Sequence, residues 1–195
     1  MAVTVETLPP SRIEEAIDAL AALRIAVFRE WPYLYDGNLD YERGYLAEFA
    51  AAPNAVLVIA RDGDAIIGAA TASPLSAQKG EFQAPFVMQG WDVGRTFYFG
   101  ESVLLPGYRG QGIGHAFFDH REAGARAAGA SIATFCAVQR PAEHPLCPAD
   151  YRPLDAFWAK RGYARVEGLT TSFDWLDIGE PIEMPHPMQF WVRQI

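Results

Sequence analysis

The sequence has only two cysteines, Cys136 and Cys147, too few to staple a fold. One falls in a predicted core strand and the other in a proline-rich loop, so two free thiols in a reducing compartment are expected. Basic residues are also short: 16 Lys and Arg stand against 24 Asp and Glu, a formal charge of −8. That excludes nucleic acid as the main partner, because a phosphate backbone demands a basic face. No uninterrupted apolar run is long enough to span a bilayer. The opening Met-Ala-Val-Thr-Val-Glu-Thr-Leu lacks the basic start and apolar block of a signal peptide. A cytoplasmic protein working away from membranes is the expectation. No cluster has metal-ligand spacing, His144 and His186 standing apart among prolines, so no metal is expected. There is no internal repeat, low-complexity tract or linker.

What is present is an ordinary globular balance, with 50% hydrophobic and 21% charged residues over 195 positions. One domain spanning 1–195 suits that length. Ala2 to Leu8 alternates like a strand. Ser11, with Glu14 three residues on, predicts a capping box that opens a helix with the stripe Ile13, Ile17, Leu20, Leu23 (or Arg24), Val27. Asn38 or Asp40 caps a second helix through Tyr41, Tyr45, Leu46 and Phe49. Residues 55–60 and 65–72 read as strands joined by a hairpin at Asp62-Gly63. Residues 76–94 have no clear pattern and several exposed-looking aromatics, the mark of a functional loop or an overlooked short helix. Residues 97–105 and 131–138 read as strands, 150–161 as a helix stopped by Gly162, and 164–175 and 188–195 as the last strands.

Between the strand at 97–105 and an amphipathic helix lies Arg109-Gly110-Gln111-Gly112-Ile113-Gly114. Ile113, Phe117, His120, Gly124 and Ala127 recur downstream at helical spacing. A glycine-rich turn entering a helix is an anion cradle, because unpaired N–H groups and the positive end of the helix dipole point at one spot. Glycine lets a phosphate approach the backbone closely. A P-loop would need Lys and then Ser or Thr where this loop has Gly114-His115. A dinucleotide site would need its third glycine one residue later and an acid on the next strand, which Ile132 to Val138 lacks.

The run Leu105-Pro106-Gly107-Tyr108-Arg109-Gly110-Gln111-Gly112-Ile113-Gly114 resembles the signature of the GNAT superfamily of acyl-CoA-dependent N-acyltransferases. The order of elements resembles that fold over nearly the whole chain, and Ala156 to Tyr163 resembles the end of a second family helix. The resemblance implies an α/β (α+β) fold with a mixed sheet of six to seven strands, helices on both faces, and a splayed strand pair that holds CoA. It implies acetyl-CoA as co-substrate, without a metal. Its pyrophosphate would lie at the signature loop from Arg109 onward, on the backbone N–H groups of Gly110, Gln111, Gly112, Ile113, Gly114 and His115. Its pantetheine arm would lie along Ser102, Val103 and Leu104.

Acetyl transfer to an amine requires a base, an oxyanion donor and a route for the thiolate. The backbone N–H of Leu104 or its neighbour is the implied donor. Glu101, on the signature strand, is the first base candidate; the other reading is a Glu that faces the opposite sheet surface and pairs with an Arg. His144 is the second candidate, and ordered water a third. Where many members carry an acidic Tyr, this chain has Trp158, whose indole cannot protonate a thiolate. Tyr151, Tyr98 or Tyr108 are the substitutes, unless the thiolate leaves unassisted. Arg140, Glu143, His144, Asp150, Tyr151, Arg152 and Asp155, with Glu81, Phe82 and Trp91, read either as an acceptor-recognition lip or as a solvated loop. His120 reads as a packing residue. The acceptor expected is a small-molecule, peptide or protein amine, and a homodimer stays open. The competing class is a non-catalytic CoA-binding sensor or scaffold on the same fold. A dinucleotide-binding oxidoreductase is a third.

Overall fold

The computed structural model describes residues 3–195. Seven strands form one sheet: β1 (Thr4–Thr7), β2 (Val56–Asp62), β3 (Ala65–Pro74), β4 (Thr96–Leu104), β5 (Ile132–Val138), β6 (Ala164–Trp175) and β7 (Met184–Gln194). Their order is β1-β2-β3-β4-β5-β7-β6. Every neighbouring pair is antiparallel except β4 and β5. Helices α1 (Ile17–Phe28), α2 (Leu39–Ala50), α3 (Gly80–Met88), α4 (Ile113–Ala127) and α5 (Asp155–Lys160) cover it. Leu57, Ile59, Ala69 and Val103 of the sheet pack with Leu20, Leu23 and Leu46 of α1 and α2. Tyr98, Ile132, Phe190 and Val192 meet Phe82 and Phe86 of α3 on that same face. The other face packs Phe97, Phe99 and Phe135 against Phe117 and Phe118 of α4 and Phe157 of α5. The expected mixed sheet with helices on both faces is present.

Asn38 caps α2, its side chain accepting from the N–H groups of Asp40 and Tyr41. The capping box predicted at Ser11 and Glu14 does not form. Pro10 starts a 3-10 turn before Ser11, so Ser11 lies inside the turn rather than ahead of it, and α1 proper begins only at Ile17. The predicted helix at 150–161 is shorter, starting at Asp155, so Tyr151 precedes it in a loop. The final strand starts earlier than expected, at Met184. Ala2, in the first predicted strand, lies outside the described residues.

The patternless stretch 76–94 contains α3. Its interior Pro85 removes the bond that the Glu81 carbonyl would accept. That carbonyl takes the Thr171 hydroxyl instead, at 2.9 Å, so the freed acceptor docks α3 onto β6. Phe82 and Phe86 are buried there, correcting the reading of exposed aromatics.

Two irregularities in β4 position the site. Its pairing with β5 ends at Tyr98 and Thr134, beyond which the two strands separate into a wedge. Its pairing with β3 slips by one residue, since Ala72 faces Phe99 while Ala70 faces Ser102. Gly100 and Glu101 thus both stand opposite Thr71, a β-bulge.

Candidate active site

The signature loop folds as an open cradle. Gly110 and Gly112 have φ of +76° and +84°, a region open to glycine and strained for other residues. Gly112 caps α4 in this left-handed conformation, which leaves the N–H groups of residues 110–114 without a backbone acceptor among the described residues. His115 N–H is already bonded to the Gly112 carbonyl, at 3.0 Å. The Gly110–Gly114 backbone is therefore the part free to receive an anion, as a CoA pyrophosphate requires. The Arg109 side chain turns away, bonding the Leu104 carbonyl at 3.1 Å and Glu30 at 2.8 Å. Gln111 donates to the Gly107 carbonyl. Those two side chains brace the loop.

Behind the cradle, the edge of β4 at Ser102–Leu104 faces the wedge. Leu105 N–H donates across to Ile67 of β3. By the alternation of an antiparallel ladder, Leu104 and Ser102 turn their N–H groups the other way, toward the gap. These are the strand residues that the resemblance assigns to pantetheine.

The bulge decides where Glu101 points. Strict alternation from Tyr98 would send it to the α4 face; the extra residue sends it to the face of α1, α2 and α3. There its carboxylate is buried and meets Arg24 Nη1 of α1 at 2.7 Å. Arg24 Nε also bonds Glu42 of α2, which is fully buried. The guanidinium lies 4.5 Å from the Tyr45 ring and 5.1 Å from Phe28. Burial disfavours its charge, but the two carboxylates outweigh that and hold it firmly charged. One oxygen of each carboxylate, Oε1, is buried without a hydrogen-bond partner among the described residues.

Phenols and a thiol surround this ionic cluster. Tyr98 and Cys136 meet at 3.3 Å across the apex of the wedge. Tyr33 lies within electrostatic reach of Cys136, Arg24, Tyr151 and Glu101. Burial raises the pKa of Tyr33, Tyr45 and Tyr98, so all three keep their protons, and it pushes the Cys136 thiol up to about 12. The segment around Tyr33 is strapped across the gap. Arg140, just past β5, donates to the carbonyls of Pro32 and Tyr33 and grips Asp177 with both terminal nitrogens. Trp175 donates to the Tyr33 carbonyl as well.

Of the expected acceptor lip, Arg140 is thereby consumed as a strut. Asp155 pairs with Arg165. His144 packs on Trp31 at 5.0 Å and accepts from Leu146 N–H, while Tyr151 meets Trp31 edge-on at 6.0 Å. Glu81, Phe82 and Trp91 belong to the separate α3 region. The structure does not bring these residues into one lip. Tyr108 is engaged elsewhere, donating to Asp62 at 2.9 Å. Trp158 packs on Phe135 and Trp191, on the α4 side. His120 meets the Thr7 hydroxyl at 2.8 Å, a packing role.

Sequence reasoning missed Arg24 and Glu42, which sit on helices that periodicity alone describes as core and surface. It also missed Arg121, buried in the aromatic core of the α4 face. From there Arg121 reaches the carbonyls of Thr71 and Glu101 at 3.4 Å each, holding both strands of the bulge from behind. Burial lowers its pKa to about 10, yet it remains charged at neutral pH. Among the described residues no group of His, Cys, Asp and Glu could hold a metal ion, and no helix is long and apolar enough to cross a membrane.

A search of curated proteins finds no match to this sequence. Solved structures match over the whole chain. YncA from Salmonella typhimurium, solved with its cofactor acetyl-CoA, is 12% identical, with 100% of this chain and 94% of that one covered and a TM-score of 0.62. A ribosomal-protein-alanine N-acetyltransferase from Brucella melitensis is 12% identical, with 98% and 99% covered and a TM-score of 0.63. An N-acetyltransferase from Staphylococcus aureus Mu50 is 12% identical, with 100% and 99% covered and a TM-score of 0.62. These likenesses establish the fold. The sequence profile of the acetyltransferase (GNAT) family matches residues 20–148, a span that holds the wedge, the bulge and the cradle. The chain belongs to the acetyltransferase (GNAT) family.

Proposed function

We propose that this protein is an N-acetyltransferase, acting as a single cytoplasmic domain, that moves acetyl from acetyl-CoA directly onto a primary amine within a ternary complex. The observation that carries the reading is one strand. The open edge of β4 runs from the buried Glu101 carboxylate to the threshold of the glycine cradle, so a thioester laid along it would meet a carboxylate.

The division of labour follows from the residues. Backbone N–H groups of Gly110–Gly114 would hold the pyrophosphate, and the Ser102–Leu104 edge would align the arm. Ser102 N–H, which by the same alternation turns toward the gap next to Glu101, would stabilise charge on the carbonyl oxygen, with Leu104 N–H further along the arm. Glu101 Oε1, without a protein partner, would take a proton from the ammonium, whose nitrogen then attacks the carbonyl carbon. The carbon–sulfur bond breaks and the nitrogen gives up its second proton as the amide forms. The thiolate would draw its proton from a phenol near the wedge, which the nitrogen's second proton restores; Tyr33 and Tyr151 are the candidates, since Tyr98 is engaged with Cys136. Burial raises the Tyr151 phenol too, so it is protonated at neutral pH.

The experiment is release of the CoA thiol from acetyl-CoA on addition of a panel of amines. Release that depends on the amine supports the reading. Tight acetyl-CoA binding with no release for any amine favours the second reading, a CoA-binding module without turnover. That alternative draws on the Arg24–Glu101 pair, which neutralises part of the charge a base needs.

A further inference from the structure

We propose that the cleft between α2 and α3 receives the carbon chain of the acceptor, a short aliphatic primary ammonium uncharged at its far end, and that Phe82 limits the length of that chain. This rests on the acetyl-transfer reading of the same site. Antiparallel neighbours such as β3 and β4 need only a few residues of turn. Here residues 75–95 intervene, and they carry α3 over the sheet beside α2. The gap left between the two helices is a cleft of about 70 Å³. Its floor is Thr71 of β3 with Tyr98 and Gly100 of β4, and its walls are Tyr45 of α2 and Phe82 of α3.

The cleft borders the ionic cluster. Gly100 on its floor is the residue before Glu101 in the bulge. The Tyr45 ring that walls it also carries the Arg24 guanidinium at 4.5 Å. The cluster itself calls for a cation. Glu42 and Glu101 supply two buried carboxylates against one guanidinium, and each keeps an unpartnered Oε1. A buried anionic oxygen without a partner is costly, and an ammonium would satisfy it. Further in, the lining is aromatic rings and hydroxyls. Among the described lining residues Lys79 is the one cation, and it lies at the exposed mouth, 3.8 Å from Glu48. The carboxylate of an α-amino acid would sit one carbon from the ammonium, against the Glu42 and Glu101 carboxylates, which disfavours amino acids.

Calorimetric titration of the full-length protein, saturated with CoA, tests this with propylammonium, hexylammonium and glycine as probes. Propylammonium should bind, and glycine should not. Phe82→Trp should weaken propylammonium about tenfold or more, and Phe82→Ala should improve hexylammonium over propylammonium by a similar factor, the scale of a methylene or two in an apolar pocket. Ala77→Trp, at an exposed rim position, should block the cleft without touching the core, which guards against a Phe82 variant that fails to fold. Acetyl-CoA affinity should stay unchanged in all three. Absence of alkylammonium binding to the unaltered protein, or binding indifferent to Ala77→Trp, overturns the proposal. Alkylammonium binding without acetyl transfer leaves the cleft assignment standing and sinks the reading of the reaction instead.

Discussion

Glu101 Oε2 and Arg24 Nη1 meet at 2.7 Å, on a face of the sheet that Glu101 reaches only because β4 bulges at Gly100. The pair ties the α1–α2 hairpin to the strand that borders the wedge. Glu42 holds Arg24 from the other side, so the guanidinium is fixed and in turn fixes Glu101. One carboxylate oxygen is paired and the other is buried without a partner among the described residues, so the structure shows the reading in which Glu101 pairs with an Arg. The base role proposed for Glu101 would rest on that second oxygen.

Glu101→Gln keeps the shape of the side chain and removes its charge. Turnover should fall about 100-fold or more, the usual contribution of general acid–base catalysis. Acetyl-CoA affinity should hold. Thiol-release kinetics check this, and unchanged turnover would move the base to His144 or to water.

Arg24→Met leaves two buried carboxylates without their cation. Removing one partner of a buried ion pair costs about 3–5 kcal/mol. Denaturant melts of the variant and the unaltered protein measure it, and an unchanged midpoint would mean that the pair does not hold the α1–α2 hairpin to β4.

Gly112→Val places a β-branched residue at φ +84° and a side chain before the free N–H groups. The strain is about 1–3 kcal/mol. Acetyl-CoA affinity should drop at least tenfold by calorimetry while the circular dichroism spectrum stays native. Undiminished affinity would remove the cradle from the cofactor site.

Gly100→Ala would bring a Cβ to 2.4 Å from Thr71 Oγ1. Overpacking of this kind costs about 1–3 kcal/mol, and relief by shifting the bulge would misdirect Glu101. Activity should fall with stability. Thr71→Ala deletes the clashing oxygen, so the double variant should recover most of both. A double variant no better than Gly100→Ala would mean the bulge does not depend on this contact.

His186 is buried and stacks on Trp175 at 3.8 Å, beside Asp177 and Arg140. Burial, and then the Arg140 charge, lower its pKa below the ordinary value. The unfolded chain therefore binds a proton more readily. The stability this group contributes is present above the unfolded pKa of about 6.5 and is lost as pH falls through the lower folded value. His186→Gln should flatten the decline in melting temperature between neutral and mildly acidic pH.

The cradle was legible in the sequence because it is local. Residues 109–114 are contiguous, and glycine, a preceding strand and a following helix mark their backbone path, with Glu30 the distant brace. The succession of elements along the chain, the capped second helix and the family likeness were legible for similar reasons, since periodicity and turn chemistry act over a few residues. Helix α3 was not, because Pro85 breaks the pattern and the lost bond is replaced from Thr171, 90 positions away. The sequence by itself determined the glycine cradle and, through it, the family. Only the tertiary structure decided the surroundings of Glu101. Which face Glu101 takes depends on a register slip between β3 and β4, and its partners Arg24 and Glu42 arrive from two helices that meet only when the core is packed. Side-chain direction in a strand follows its hydrogen-bond register, and register is a property of the assembled sheet.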